Sequence, residues 1–255
     1  PVSALHRGLS SQACSGWPPN LGRALLSRVR KRQELLDCLA QFGMADKPMT
    51  SYDHHLCHAA CAHHHRPWAD DALILTLDGA GDGLCATVNV GRGLDIETIA
   101  RTPKFHSIAA CMYSGITAHL GLKPWEHEYK VMGMAPYGQA EYVAPILRGM
   151  FRTDGLKFRN MTGRIGEPLQ RYMSQKLYGQ RFDNVSAACQ LVFEEMMLEW
   201  VRNAIEATGV RKVAAAGGAF LNVKANKLIR ETDAEDALYA YAAWDVGGRR
   251  GGAAS

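Results

Sequence analysis

Residues 72–83, ALILTLDGAGDG, carry the reading on which the fold turns. A short apolar run, Ala72–Leu77, enters a glycine-dense turn bounded by Asp78 and Asp82. Such a run, closed by turn residues, predicts a buried strand. The next residues extend the pattern: Leu84–Val90 alternates loosely, Gly91-Arg92-Gly93 makes a turn, and Leu94–Arg101 is a third strand. Three strands joined by tight turns form a β-meander, and a helix over Ile108–Leu120 follows it.

Upstream the period is helical. Leu21, Leu25, Leu26, Val29, Leu35, Leu36, Leu39 and Phe42 recur near helical spacing and Gly43 ends the run, which predicts an amphipathic helix over 21–42. His54 to His65 is a second helix with alanines on one side. Downstream, a loop containing Pro124, Gly133, Pro136 and Gly138 leads to helices near 139–150, 168–178 and 184–207. Val213–Ala216 is a strand entering Gly217-Gly218 and a helix to about Ile229, and Leu238–Ala243 is a strand followed by Asp245 and more glycine. Strands and helices interleave, so the fold class is α/β with at least one mixed sheet.

The composition fits an ordinary globular chain: 255 residues, 47% hydrophobic and 21% charged. The net charge, 29 − 25 = +4, lacks the dense basic stripe of a nucleic-acid binder, and Arg28, Arg30, Lys31 and Arg32 read as a solvated helix face. No apolar run reaches the ~18–20 residues of a membrane span, so neither nucleic acid nor membrane is an expected partner. Seven cysteines without a C-x-x-C pair suit free, mostly buried thiols in a reducing cytoplasm. Pro1 and the glycine-rich end at Ser255 suggest a piece of a longer polypeptide, with 1–20 a poorly ordered or torn edge and 21–255 a partial domain.

Several residues could carry chemistry. His54 and His58 project from one helix face a turn apart, which suits two ligands of one metal ion or a merely polar helix. His63, His64 and His65 point three ways around the helix and read as surface. Asp78 and Asp82 at a strand's glycine-rich end are ligand contacts or parts of a plain hairpin turn. Gly217-Gly218, between strand and helix, either admits a nucleotide or only makes a tight turn. Asp245 is a further carboxylate at a strand end.

Taken in order, these pieces resemble one family. Asp53-His54-His55-Leu56-Cys57-His58-Ala59-Ala60 resembles H-H-x-x-H-A-A, and Asp78-Gly79-Ala80-Gly81-Asp82 resembles D-G-x-G-D. His106-Ser107 with Met112-Tyr113-Ser114 resembles H-S-L-G-x-F-Y-S, and residues 128–138 are similar to E-x-K-V-M-G-L-A-P-Y-G. GGAFLNVKAN at 217–226 resembles G-G-x-A-L-N-x-x-x-N, and Asp245-Val246-Gly247 with Gly251–Ala254 resembles D-x-G…G-A-A. The family is that of NodU/CmcH-type O-carbamoyltransferases, and the resemblance covers roughly residues 50–255.

The resemblance implies a partial actin/hexokinase-ATPase-like (ASKHA) fold, shared with TsaD-type transferases. It implies that ATP and carbamoyl phosphate give a carbamoyl-adenylate, whose carbamoyl group passes to a hydroxyl of a small-molecule acceptor. It also implies a divalent metal, Fe²⁺ first, held by His54, His58, Asp245 and, as the likeliest fourth ligand, Asp78. Lys130 and the Met132–Gly138 turn with Gly133 become candidates for the anionic ligand, and Asp82, Gly217, Gly218 and Asn222 for the nucleotide. His106 is a candidate base. The adenylate, with Mg²⁺, would come from a C-terminal YrdC-like domain that this sequence does not contain, and nothing in residues 1–50 matches the family's opening segment. Two other readings remain: an ASKHA-fold phosphotransferase, which Mg²⁺'s preference for oxygen ligands makes hard to square with H-x-x-x-H, and a non-catalytic nucleotide- or metal-binding module.

Overall fold

Glycine, proline and the two side-chain periods divide the chain much as expected. A computed structural model describes residues 21–44, 46–48, 50–232 and 238–241. The expectations for residues 1–20, for Asp245 and for the glycine-rich end lie outside these. The chain divides into two units at Ser51/Tyr52. In the first, helix α1 (Leu21–Gln41) ends at Gly43, whose φ of +66° few other residues adopt freely. Arg30 and Arg32 are exposed, and Arg30 pairs with Glu34 at 3.0 Å, a solvated face of small energetic consequence.

The second unit opens with α2 (His54–His65), whose N-cap Asp53 accepts from the Leu56 amide at 2.8 Å. β1 (Ala72–Gly81), β2 (Leu84–Arg92) and β3 (Asp95–Pro103) form the expected antiparallel meander. β1 is longer than its apolar run. The turn is only Asp82-Gly83, with φ of +48° and +87°, as a two-residue hairpin requires. Asp78, Gly79 and Ala80 therefore belong to the strand, where an irregularity between Leu77 and Gly81 takes them out of regular pairing with β2.

A π-helical turn (Ile108–Tyr113) runs into α3 (Ser114–His119), so the expected helix over 108–120 is present with a widened start. α4 (Glu128–Met134) occupies the expected loop and contains Gly133. The expected helix at 139–150 is only a 3₁₀ turn and α5 (Ala144–Arg148). β4 (Phe151–Asp154) and β5 (Lys157–Asn160) form a hairpin that the sequence reading missed. α6 (Gly166–Lys176) and α7 (Phe182–Thr208) match expectation, and β6 (Val213–Ala216) follows. Gly217-Gly218 opens a 3₁₀ turn, not a helix, because α8 (Val223–Thr232) starts only after Asn222; β7 (Leu238–Tyr241) comes last.

The sheet order is β3-β2-β1-β6-β7, antiparallel across the meander and parallel from β1 through β6 to β7. It is the mixed sheet of an α/β fold, as the interleaved strands and helices of the sequence imply. Strand parity sorts the two faces. Leu73, Leu75, Leu77, Val213 and Ala215 join the large core with Val192, Phe193, Met197 and Trp200 of α7. Ala72, Ile74, Ala214 and Ala216 face Ala59 and Ala62 of α2. Alanine on both sides lets α2 lie close to the sheet, and that closeness positions its histidines.

Candidate metal centre

The register of α2 is set by a buried polar ladder. His55 Nδ1 meets Thr76 Oγ1 at 2.8 Å, and Thr76 Oγ1 meets Thr87 Oγ1 at 2.7 Å. Asn89 Nδ2 donates to Thr87 Oγ1 at 2.8 Å and to the Ile74 carbonyl at 3.0 Å, and Thr98 Oγ1 donates to Asn89 Oδ1 at 2.7 Å. The helix is thereby tied to all three meander strands, through His55, Thr76, Thr87 and Asn89, which are buried, and the half-buried Thr98. Asp82 closes the other end, accepting from the His54 amide at 2.9 Å where the helix N-terminus favours negative charge.

With α2 so held, two imidazoles converge on one carboxylate. His54 Nε2 lies 3.1 Å and His58 Nε2 3.4 Å from Asp78 Oδ2, and the two Nε2 atoms are 3.1 Å apart. The rings stand edge to face, with centroids 4.6 Å apart. His54 reaches this position because β1 has no side chain beneath it: a Cβ on Gly81 would fall 2.1 Å from the imidazole. Asp78 is oriented by the Gly79 amide, which donates to Oδ1 at 2.7 Å. His58 is 3% exposed and the side chains of His54 and Asp78 are 21% exposed, so the cluster is open on one side.

These distances fit a first-row metal ion. Ligand bonds of ~2.0–2.2 Å place adjacent ligand atoms ~2.9–3.5 Å apart in octahedral or tetrahedral geometry. The three ligand atoms span that range, all lying within 4.8 Å of one another. Two imidazole nitrogens and a carboxylate form a mixed N/O donor set suited to such ions. Burial raises the Asp78 pKa, but bonds from His54, His58 and the Gly79 amide outweigh it and hold the carboxyl well below the usual range. It is therefore an anion, as a ligand must be.

Other expected site residues divide by position. Gly217 (φ +107°) lies where a Cβ would be 2.3 Å from the Leu77 carbonyl, and a Cβ on Gly218 would stand 3.1 Å from Asp78 Oδ1. The Gly-Gly turn thus abuts the histidine cluster. Asn222 caps α8, accepting from the Ala225 amide at 3.1 Å, and exchanges amide bonds with Gln190 at 2.9 and 3.0 Å. Gln190 also accepts from Tyr113 at 2.7 Å, joining the Met112-Tyr113-Ser114 segment to the Gly-Gly turn through a residue no motif contains. Lys130 lies on α4 with its ammonium 5.8 Å from the Tyr129 ring. A Cβ on Gly133 would meet nothing within 4 Å, so no close approach inside the protein demands glycine there.

His106 is engaged elsewhere. Its Nδ1 accepts from the Asn160 amide of β5 at 3.2 Å, which puts the neutral ring's proton on Nε2 and makes that atom a donor. Ser107, beside it, is buried, caps the π-helical turn and donates to the Asp78 carbonyl at 3.4 Å. The histidine triplet is not all surface: His64 and His65 are exposed, but His63 is fully buried. Its Nε2 donates to the Gly93 carbonyl at 2.9 Å and its Nδ1 accepts from Arg66 at 2.9 Å. The six described cysteines are free; Cys85 and Cys189 are buried, Cys38 is exposed and the others are partly buried. No helix among the described residues is long and apolar enough to cross a membrane.

A family model described as "Carbamoyltransferase N-terminus" matches residues 22–255. The uncharacterised protein sll1178 of Synechocystis sp. is 31% identical over 98% of this chain and 43% of its own length. Nodulation protein NolNO of Sinorhizobium fredii is 31% identical over 95% of this chain and 35% of its own. The chain thus spans less than half the length of these relatives. A crystal structure of full-length HypF in the phosphate- and nucleotide-bound form is similar at a TM-score of 0.43 and 14% identity, covering 77% of this chain and 40% of that one.

Proposed function

The chain belongs to the carbamoyltransferase N-terminus family, and on that premise we propose that His54, His58 and Asp78 hold a divalent metal ion, Fe²⁺ first, at the centre of an O-carbamoyl transfer site. The carbamoyl group would pass from carbamoyl-adenylate, made from ATP and carbamoyl phosphate, to a hydroxyl of a small-molecule acceptor in the cytoplasm. The adenylate would come from a YrdC-like domain using Mg²⁺. One observation carries this reading: three ligand atoms from α2 and β1 converge at metal-site spacing on a cluster open to one side.

When bound, the ion supplies Lewis-acid polarisation where negative charge develops. The chain's own residues do the rest. His54 and His58 present Nε2 lone pairs, while Asp82 and the Thr76 ladder fix the helix that carries them. Asp78 supplies the negative charge. Gly217-Gly218 leaves room beside Asp78 Oδ1 for the nucleotide, and Asn222 holds the far end of that turn. Lys130 offers a cation to phosphate oxygens. His106 would enter as a hydrogen-bond donor through Nε2. Asp245 is the proposed further ligand.

The test is metal stoichiometry of the purified chain by plasma mass spectrometry, with Co²⁺ substitution to read ligand geometry. About one ion per chain is expected, lost in His54→Ala and His58→Ala. Purified wild type that keeps no first-row metal after reconstitution would refute the centre. The full-length protein should transfer labelled carbamoyl from carbamoyl phosphate with ATP, and His58→Ala should abolish this.

A further inference from the structure

Gln190 is a polar exception on the buried face of α7. Ala188, Cys189, Val192 and Phe193 beside it belong to the large core, and Gln190 itself is 3% exposed. Asp183 and Ser186, the other buried polar side chains of this helix, bond within four residues of themselves. Gln190 instead reaches two other segments. Its Oε1 accepts from Tyr113 Oη at 2.7 Å and from Asn222 Nδ2 at 3.0 Å. Its Nε2 donates to Asn222 Oδ1 at 2.9 Å and to Glu194 Oε1 at 2.7 Å. Every hydrogen-bonding position of the amide is filled.

Partners with a single role fix which way both amides face. The Glu194 carboxylate only accepts, so Nε2 of Gln190 must face it. The Ala225 amide only donates, so Oδ1 of Asn222 must face it. Burial raises the Tyr113 pKa, so that hydroxyl keeps its proton and donates. A carboxylate at 190 could serve neither Glu194 nor Asn222 Oδ1, and an apolar side chain could serve none of these contacts.

The contacts close a ring that starts and ends at Asp78. Ser107 Oγ donates to the Asp78 carbonyl and caps the π-helical turn whose last residue is Tyr113. Gln190 carries the ring from Tyr113 to Asn222. The 3₁₀ turn (Gly218–Leu221) runs back from there to Gly218, where a Cβ would stand 3.1 Å from Asp78 Oδ1. An apolar residue at 190 would pack at a smaller desolvation cost, so a saturated buried amide points to a geometry that has to be held.

We propose that Gln190 is the positioning residue of the nucleotide turn: it locks Asn222 against Tyr113 and so fixes Gly217-Gly218 beside the Asp78 carboxylate. This rests on the reading of that turn as the nucleotide contact. Gln190 acts through Asn222, removing alternative placements of the turn before the nucleotide arrives. The histidine cluster is held separately by α2 and β1, so loss of Gln190 is read in nucleotide affinity and not in metal affinity.

The experiment is ATP titration calorimetry of the chain as wild type, Gln190→Met, Gln190→Glu and Tyr113→Phe. Co²⁺ affinity is measured on the same preparations without nucleotide. Gln190→Met should weaken ATP binding about tenfold, and Tyr113→Phe, which removes one bond, about threefold. Gln190→Glu adds a readout that packing alone would not move. Its buried carboxyl would lie in the field of Glu194 and Glu128, which both act on Tyr113, and burial and like charge raise its pKa. At about pH 8.5 it is an anion, and ATP should bind about tenfold more weakly than to wild type at the same pH. At about pH 6 it takes up a proton and can donate again, so the deficit should shrink to within about threefold. Co²⁺ affinity should stay within about twofold of wild type in all variants. The positioning role is overturned if Gln190→Met binds ATP within about twofold of wild type, if Co²⁺ and ATP affinities fall together, or if the Gln190→Glu deficit is equal at both pH values. Should the Gln190 variants not fold, Tyr113→Phe decides, and an ATP affinity equal to wild type there overturns the role. Wild type that binds no ATP would instead overturn the nucleotide reading of the turn, and the positioning role would fall with it.

Discussion

Single residues decide how closely α2 and the Gly-Gly turn approach β1. Gly81→Ala would place a methyl 2.1 Å from the His54 ring, and neither the strand nor the ladder-held helix can yield far. The expected result is a loss of ~1–3 kcal/mol in urea unfolding, as for other overpacked sites, with Co²⁺ affinity falling by at least about tenfold. His63 makes a different prediction. Burial lowers its pKa below 6.5; the bond to Gly93 opposes this, and Arg66 and His64 lower it further. The unfolded chain therefore takes up the proton first as pH falls. Stability from a neutral His63 is full above about pH 6.5 and is lost as pH drops below that toward the folded value. Replacing His63 with Asn should flatten the slope of the urea midpoint between pH 7.5 and 5.5. His55, His106 and His119, also lowered by burial, keep their contributions in both proteins. An unchanged slope would mean that His63 does not titrate in this range.

At the scale of elements, the centre depends on one helix docked on one strand by alanines and a polar ladder. Thr76→Val keeps the shape but leaves His55 Nδ1 and the Thr87 hydroxyl without their buried partner. A cost of ~1–3 kcal/mol is expected, and because His54 and His58 ride on the same helix, metal affinity should fall with it. Calorimetry of wild type and variant with Co²⁺ checks both. The sequence made the helix and the meander visible, since their periods of 3.6 and 2 run for several turns or strands. The four-residue strands β4 and β5 were missed even though Phe151, Thr153, Phe158 and Asn160 alternate inward, because so short a run gives periodicity nothing to measure. α4 was lost to its punctuation: Gly133 and Pro136 read as breakers, although Gly133 fits the helix and Pro136 starts the next 3₁₀ turn. In the site, the four-residue histidine spacing and Asp78 were legible. Thr76 and Gln190 were not, since their hydrogen bonds join distant segments.

For the whole molecule, the proposed centre would make metal binding a folding term. His54 and His58 enter from α2 and Asp78 from β1, twenty residues or more along the chain. The preformed cluster does not exist in the unfolded state, so an ion bound to it stabilises only the folded one. An ion at 100 times its dissociation constant adds ~2.7 kcal/mol, which for a chain of this size raises the melting temperature by roughly 5–10 °C. The unit from Tyr52 onward contains the sheet, α2 and the large core, so its transition should move while that of α1 does not. Scanning calorimetry with Fe²⁺ or Co²⁺ under anaerobic conditions is expected to show this shift, and His58→Ala should abolish it while leaving the metal-free transition within a few degrees. A shift of equal size in His58→Ala would mean that the ion acts elsewhere on the protein, and the centre built from α2 and β1 would have to be abandoned.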